Sequence, residues 1–143
     1  ENMMLENLAQ GVPEKRKAGY LSVVRKVTET SRMYQYGILY EQAPELYENL
    51  VRGLTIPEHT DSITVQLTRR DVPNSMSAIL SMIGDYGYNM DQMRIVGYSD
   101  DKSSVIFELK ILGDLAYDNM KKMVLQLSME SKDFSVGGCT EEQ

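Results

Sequence analysis

The residues best suited to chemistry form the stretch Arg69-Arg70-Asp71-Val72-Pro73-Asn74-Ser75, a polar loop between an alternating segment and a segment of helical periodicity. A helix beginning near Asn74 would turn free backbone N–H groups and the positive end of its dipole toward this loop, a setting that suits a carboxylate. Arg69 and Arg70 add positive charge and Asp71 could hold an ammonium, so together the loop could recognise an amino acid. The same residues equally describe a capped surface turn. Gly87-Tyr88-Asn89-Met90 follows the helix as the second distinctive feature of the region.

Catalysis would call for a nucleophile beside a base, paired carboxylates in a cleft, or metal ligands at usable spacing. The chain has one histidine, His59, and one cysteine, Cys139, so no Cys–His pair, His-based zinc site or internal disulfide is indicated. His59 reads as a surface spacer in a Pro-Glu-His-Thr connection. Asp100-Asp101 fits a hairpin turn, where Asp bonds to local backbone, rather than a metal site. Asp85 and Asp91 flank the Gly87 turn and are expected to face solvent. No catalytic residue, metal or cofactor is therefore expected.

Charged residues at 25% and hydrophobic ones at 42% describe a globular chain. A formal charge of −6 offers no electrostatic footprint for nucleic acid or anionic membrane. Lys15-Arg16-Lys17 beside Glu14 reads as a solvated helix start. No apolar run approaches the roughly 18 residues that span a bilayer, and no signal-peptide pattern appears, so a cytoplasmic location is expected. Seven of the ten methionines fall between Met76 and Met129, pointing to a pliable core or interface, with core the favoured reading.

The elements that must position these residues follow from periodicity. Met3, Met4, Leu5 and Leu8 form a short apolar stripe, and Tyr20, Val23, Val24 and Val27 mark a helix from Glu14 to about Thr30. Tyr34 to Tyr40 alternates and predicts a strand; a helix starting at Pro44 carries Leu46, Tyr47, Leu50 and Val51 up to Gly53. After a boundary at Leu54–Asp61, Ile63, Val65 and Leu67 predict a half-buried strand. Met76, Ile79, Leu80 and Ile83 predict a helix capped by Asn74 or Ser75 and closed by Gly84 and Gly87. A hairpin of two strands turns at Ser99–Ser103, with Val105, Phe107, Leu109 and Ile111 facing inward. Asp114 is a candidate cap for a helix whose apolar face is Ala116, Met120, Met123, Val124 and Leu127, and Phe134-Ser135-Val136 predicts a closing strand. The expected class is α+β: a ferredoxin-like β-α-β-β-α-β sandwich with both helices on one face of an antiparallel sheet. Residues 1–60 form an N-terminal, mainly helical extension, residues 61–137 the sandwich and residues 138–143 a polar tail.

In this order of elements, residues 62–136 resemble the ACT domain, a small regulatory module of amino-acid metabolism. Asp71-Val72-Pro73-Asn74-Ser75-Met76 stands where that family tends to have Asp-x-Pro-Gly-x-Leu, and Gly87-Tyr88-Asn89-Met90 is similar to its Gly-x-Asn-Ile. The resemblance implies a non-catalytic regulator that pairs with a second copy and binds a small molecule, often an amino acid, at the interface. It nominates Arg69, Asp71, Asn74 and Asn89 as ligand-binding residues, with backbone from Val72, Ser75 and Met90. Asn74 replaces the family's glycine, and Asn is the residue that best tolerates left-handed backbone after Gly. More weakly, residues 34–53 resemble the closing strand and helix of a CBS motif, which would imply nucleotide sensing. Residues 1–60 also loosely echo a shortened ACT repeat, or form a helical extension that covers the open sheet face or builds a dimer. The rival to regulation is a module that serves assembly alone.

Overall fold

The computed structural model describes residues 17–141, with side chains from Thr28 to Thr140. The apolar stripe at Met3–Leu8, the Lys15-Arg16 pair, the side chains of the Tyr20–Val27 face and the last two residues lie outside the described residues. The chain groups into two compact units, one to Leu39 and one from Tyr40.

In the first unit, the described residues belong to helix α1 (Lys17–Gln42), which continues into the second. The strand expected over Tyr34–Tyr40, on which the CBS resemblance drew, is therefore helical. The reason is visible in the exposure of the side chains. A strand would place Tyr34, Tyr36, Ile38 and Tyr40 on one face, yet Tyr34 is 72% exposed and Ile38 is exposed too. The less exposed positions are Arg32, Met33, Tyr36, Gly37, Leu39 and Tyr40, a set related by steps of three and four, the helical spacing.

The second unit begins with α2 (Glu45–Leu50), which starts behind Pro44 and is followed by Gly53 at φ +85°. Then come β1 (Thr60–Arg70), α3 (Ser75–Asp85), β2 (Asn89–Tyr98), β3 (Ser104–Leu112), α4 (Asp118–Met129) and β4 (Lys132–Glu141). The strands form one four-stranded sheet in the order β2-β3-β1-β4, antiparallel at every neighbouring pair. β1 and β2 are consequently parallel with β3 between them, and β3 and β4 are parallel with β1 between them. β4 is longer than the expected Phe134–Val136 segment. It runs to Glu141 opposite Thr60, so residues 138–141 belong to the sheet and not to a polar tail.

Ile63, Val65 and Leu67 of β1 oppose Ile111, Leu109 and Phe107 of β3, and all six are buried. This inner face is the core predicted by the period-two pattern. The helices add Ile79, Met82 and Ile83 from α3 and Met120, Met123, Val124 and Leu127 from α4. On α3 the buried stripe is rotated from the expected one: Met76 and Leu80 are 40% and 42% exposed, while Ser75, Met82 and Tyr86 are buried. Both stripes have helical spacing, so periodicity alone could not choose. The choice is tied to Ser75, whose hydroxyl donates to the carbonyl of Arg70 and turns that side of the helix inward.

Five consecutive residues of α4, Met123 to Leu127, are buried, which a helix lying on a single surface cannot achieve. Besides meeting the sheet, α4 touches α3 and α2. Around α2, Tyr47 is buried, stacks edge-on to Tyr40 at 6.2 Å and lies 5.9 Å from Lys121 Nζ; burial pushes its phenol up to about 12. Tyr40 donates to Asp118 Oδ1 at 3.1 Å. Between the helices, Tyr86 Oη donates to the buried Gln126 Oε1 at 2.5 Å, and Asn119 Nδ2 donates to the Tyr86 carbonyl at 2.7 Å.

Asp114 does not cap α4. Its carboxylate instead accepts the N–H groups of Ala116 at 2.9 Å and Thr60 at 3.1 Å and lies 2.6 Å from His59 Nδ1. The Ala116 N–H and then His59 hold its pKa below the usual carboxylate range. His59, expected as a spacer, thus helps fasten the start of β1 to the segment after β3. Ala116, expected on the α4 face, is exposed ahead of the helix.

The end of α3 is closed by the two glycine-dependent bonds of a Schellman turn: Tyr88 N–H to the Ile83 carbonyl at 3.2 Å and Gly87 N–H to the Gly84 carbonyl at 2.9 Å. Gly87 has φ +88°, whereas Gly84 lies within the helix with open space where a Cβ would stand. Gly87→Ala is expected to destabilise the fold by about 1–2 kcal/mol, the left-handed penalty of an L residue. Gly84→Ala should instead stabilise it by about 0.5–1 kcal/mol. Chemical denaturation of the two variants beside the parent chain measures both signs.

Candidate functional site

At the end of β1 the chain leaves the sheet beside the hairpin that joins β2 to β3. Two backbone bonds fix the first step of the loop: Asp71 N–H donates to the Ser103 carbonyl at 2.9 Å, and Val72 N–H donates to the Arg70 carbonyl at 3.0 Å. Ser103 is in turn held by Asp101, whose Oδ1 accepts the Ser103 N–H at 3.0 Å, the Ser103 hydroxyl at 2.8 Å and the Ser99 hydroxyl at 2.7 Å. These bonds, led by the Ser103 N–H, lower the Asp101 pKa to about 2. Asp100-Asp101 is accordingly a turn device, as its sequence suggests, and it also supports the loop. Lys102 adopts φ +60° within this turn.

α3 begins at Ser75 with Asn74 at its N-cap. Asn74 has φ −95° and ψ 4°, so this position does not call for a left-handed residue, and its side chain makes no capping bond. The Asn74 carbonyl accepts the Ala78 N–H at 3.0 Å and the Ser77 hydroxyl at 3.1 Å. Ser75 is likewise not a cap; it is the buried anchor to Arg70 already described.

On the other side of the loop lies the turn from α4 into β4. β1 pairs with β4 through Thr68 and Lys132, which sets Glu130–Lys132 against the end of β1. Arg69 Nη1 donates to the Glu130 carbonyl at 3.3 Å across that junction. Between the loop and the turn is a cleft of 410 Å³ whose lining includes Arg69, Arg70, Asn74, Ser75, Ser131 and Lys132. Its volume is within the range of small-ligand sites.

Of the residues expected to bind ligand, Arg69, Val72, Asn74 and Ser75 line this cleft. Asp71 lies beside it in the chain but is not part of the lining. Asn89 and Met90 are at the opposite end of the sheet, where Asn89 pairs with Leu112 and Met90 with Ile111, while Arg70 pairs with Ser104. Eight residues of β3 separate those ends, about 26 Å at ~3.3 Å per residue. The sequence reading missed the contribution of Glu130, Ser131 and Lys132. Its only signal was topological, since a closing strand antiparallel to β1 must start where β1 ends.

No helix among the described residues is long and apolar enough to cross a membrane. Among the described residues, no group of three His, Cys, Asp or Glu is arranged to hold a metal ion.

No family model matches this chain, and no curated protein is significantly similar to it. Among solved structures, it is similar to a protein described as GqqA, a novel type of quorum-quenching acylase, with 17% identity and a TM-score of 0.56. The match covers 64% of this chain and 48% of that one, so the chain corresponds to about half of its neighbour. At this identity the likeness concerns the fold alone.

The depressed pKa of Asp101 links the loop's support to pH. In the unfolded chain the carboxyl titrates near 3.8, in the folded chain at about 2. The group therefore stabilises the fold above pH 3.8, and this contribution fades as pH falls toward 2. Melting curves across that window should show the parent chain losing its advantage over Asp101→Asn as pH falls. Parallel curves would show that the carboxylate contributes nothing.

Proposed function

We propose that residues 62–136 form a ferredoxin-like, ACT-like module that binds a small molecule, an amino acid, without transforming it, and that two copies pair to complete the site. The observation that carries this reading is the separation of the candidate residues. Arg69, Asn74 and Ser75 lie at one end of the sheet and Asn89 at the other. A free amino acid cannot bridge them within one protomer. A second copy related by a two-fold axis perpendicular to the strands reverses the sheet direction, bringing the Asn89 end of one protomer beside the loop of its partner.

Exposed apolar groups support such pairing. β2 is an edge strand and leaves Ile95, Val96 and Tyr98 exposed, and the loop before α3 and α3 itself leave Val72 and then Met76 and Leu80 exposed. An edge strand with uncovered apolar side chains tends to be paired or covered. In the shared site, Arg69 and the α3 N-terminus would take the ligand carboxylate, Asp71 its ammonium, and Asn89 with the Met90 backbone its remaining polar groups. A ligand that contacts both protomers stabilises the paired arrangement by its differential affinity for it, and about 1–3 kcal/mol of coupling suffices for regulation.

Melting temperatures against the twenty amino acids test this. At 100-fold excess over its dissociation constant, the cognate ligand should add about 2.7 kcal/mol of stability. Arg69→Ala and Asn89→Ala should each abolish the shift. A shift retained in both variants would remove these residues from the site, and no shift with any amino acid would leave assembly as the better account.

A further inference from the structure

The cleft collects positive charge in an acidic chain. Arg69, Arg70 and Lys132 line it against one carboxylate, Glu130, leaving two net positive charges, although the whole chain carries −6. None of the ion pairs among the described residues involves any of these three cations. Arg69 is oriented by its bond to the Glu130 carbonyl, a neutral acceptor that leaves its charge uncompensated. Ser131, also in the lining, has its hydroxyl buried without a hydrogen-bond partner. Like charges gathered from two chain segments repel one another, and that cost is offset when an anion arrives between them.

We infer that this cleft, built within one protomer, binds the phosphate group of a small phosphorylated molecule. A phosphate monoester is close to a dianion at neutral pH and so matches the net charge of the lining. Two arginines supply forked donors suited to phosphate oxygens and Lys132 supplies a point charge. The 410 Å³ volume leaves room for an organic group beyond the phosphate itself. The site differs from the two-protomer amino-acid site in needing neither Asn89 nor a second copy.

Titration calorimetry of the whole chain with glycerol 3-phosphate, inorganic phosphate and glycerol tests the inference. Both phosphates should bind and glycerol should not, with binding weakening as salt is raised. Tighter binding of glycerol 3-phosphate assigns the site to a phosphorylated metabolite, and equal binding assigns it to the free anion. Arg70→Ala and Lys132→Gln should each weaken binding about tenfold, as expected for loss of a charge-assisted contact. Arg94→Ala, which removes the cation paired with Glu108 on β3, should change nothing. Absence of phosphate binding, or equal loss in Arg94→Ala, overturns the inference. Because Asn89 lies at the far end of the sheet, the phosphate response should persist in Asn89→Ala. An amino-acid shift without phosphate binding would thus sink this inference alone, and the converse would sink only the amino-acid reading.

Discussion

The structure depends on the pairing of β1 with strands on both of its edges. Ile63, Val65 and Leu67 are fully buried, so a slip of one residue would turn the whole apolar set away from the helices and expose it. That constraint fixes where everything else meets. Pairing of Arg70 with Ser104 brings the β2–β3 turn beside the loop, and pairing of Thr68 with Lys132 brings the α4–β4 turn to its other side. The cleft is thus a consequence of register at the end of the central strand. The same register sends Asn89, paired with Leu112, to the far end.

The loop itself is held by small local bonds. Asp101 organises Ser99 and Ser103, Ser103 receives the Asp71 N–H, and Ser75 ties the first turn of α3 back to Arg70. The backbone that carries Arg69 and Arg70 is thus hydrogen-bonded on both sides, to the β2–β3 turn and to the first turn of α3. Elsewhere in the unit, Tyr40, Tyr47 and α2 pack against α4, and Arg94 of β2 pairs with Glu108 of β3.

Much of the second unit could be read from sequence because its signals were local and periodic. The alternation of Ile63, Val65 and Leu67, the inward set Val105 to Ile111, the Asp101 turn and the Gly87 stop each carry their own physical reason. Errors arose where two periods coexist. Tyr34 to Tyr40 alternates in type yet occupies a helix, and α3 has two apolar stripes, of which the buried one is the one carrying the Ser75–Arg70 and Tyr86–Gln126 bonds. Asp114 resembled a cap because it precedes a helix, but its partners Thr60 and His59 are distant in sequence. For the same reason the loop half of the candidate site was legible and the Glu130–Lys132 half was not, since strand pairing alone brings that turn to Arg69.

The central claim is that one ligand site draws its loop from one protomer and Asn89 from another. Subunit mixing tests it most directly: Arg69→Ala and Asn89→Ala chains, each unable to bind, are combined and allowed to exchange, and ligand binding is then measured. A two-fold pair made of one chain of each kind contains one site with both residues intact, so about a quarter of the sites in an equal mixture should recover. Recovery near that level supports the shared site. Two variants that fail alone and remain silent together after exchange would contradict it.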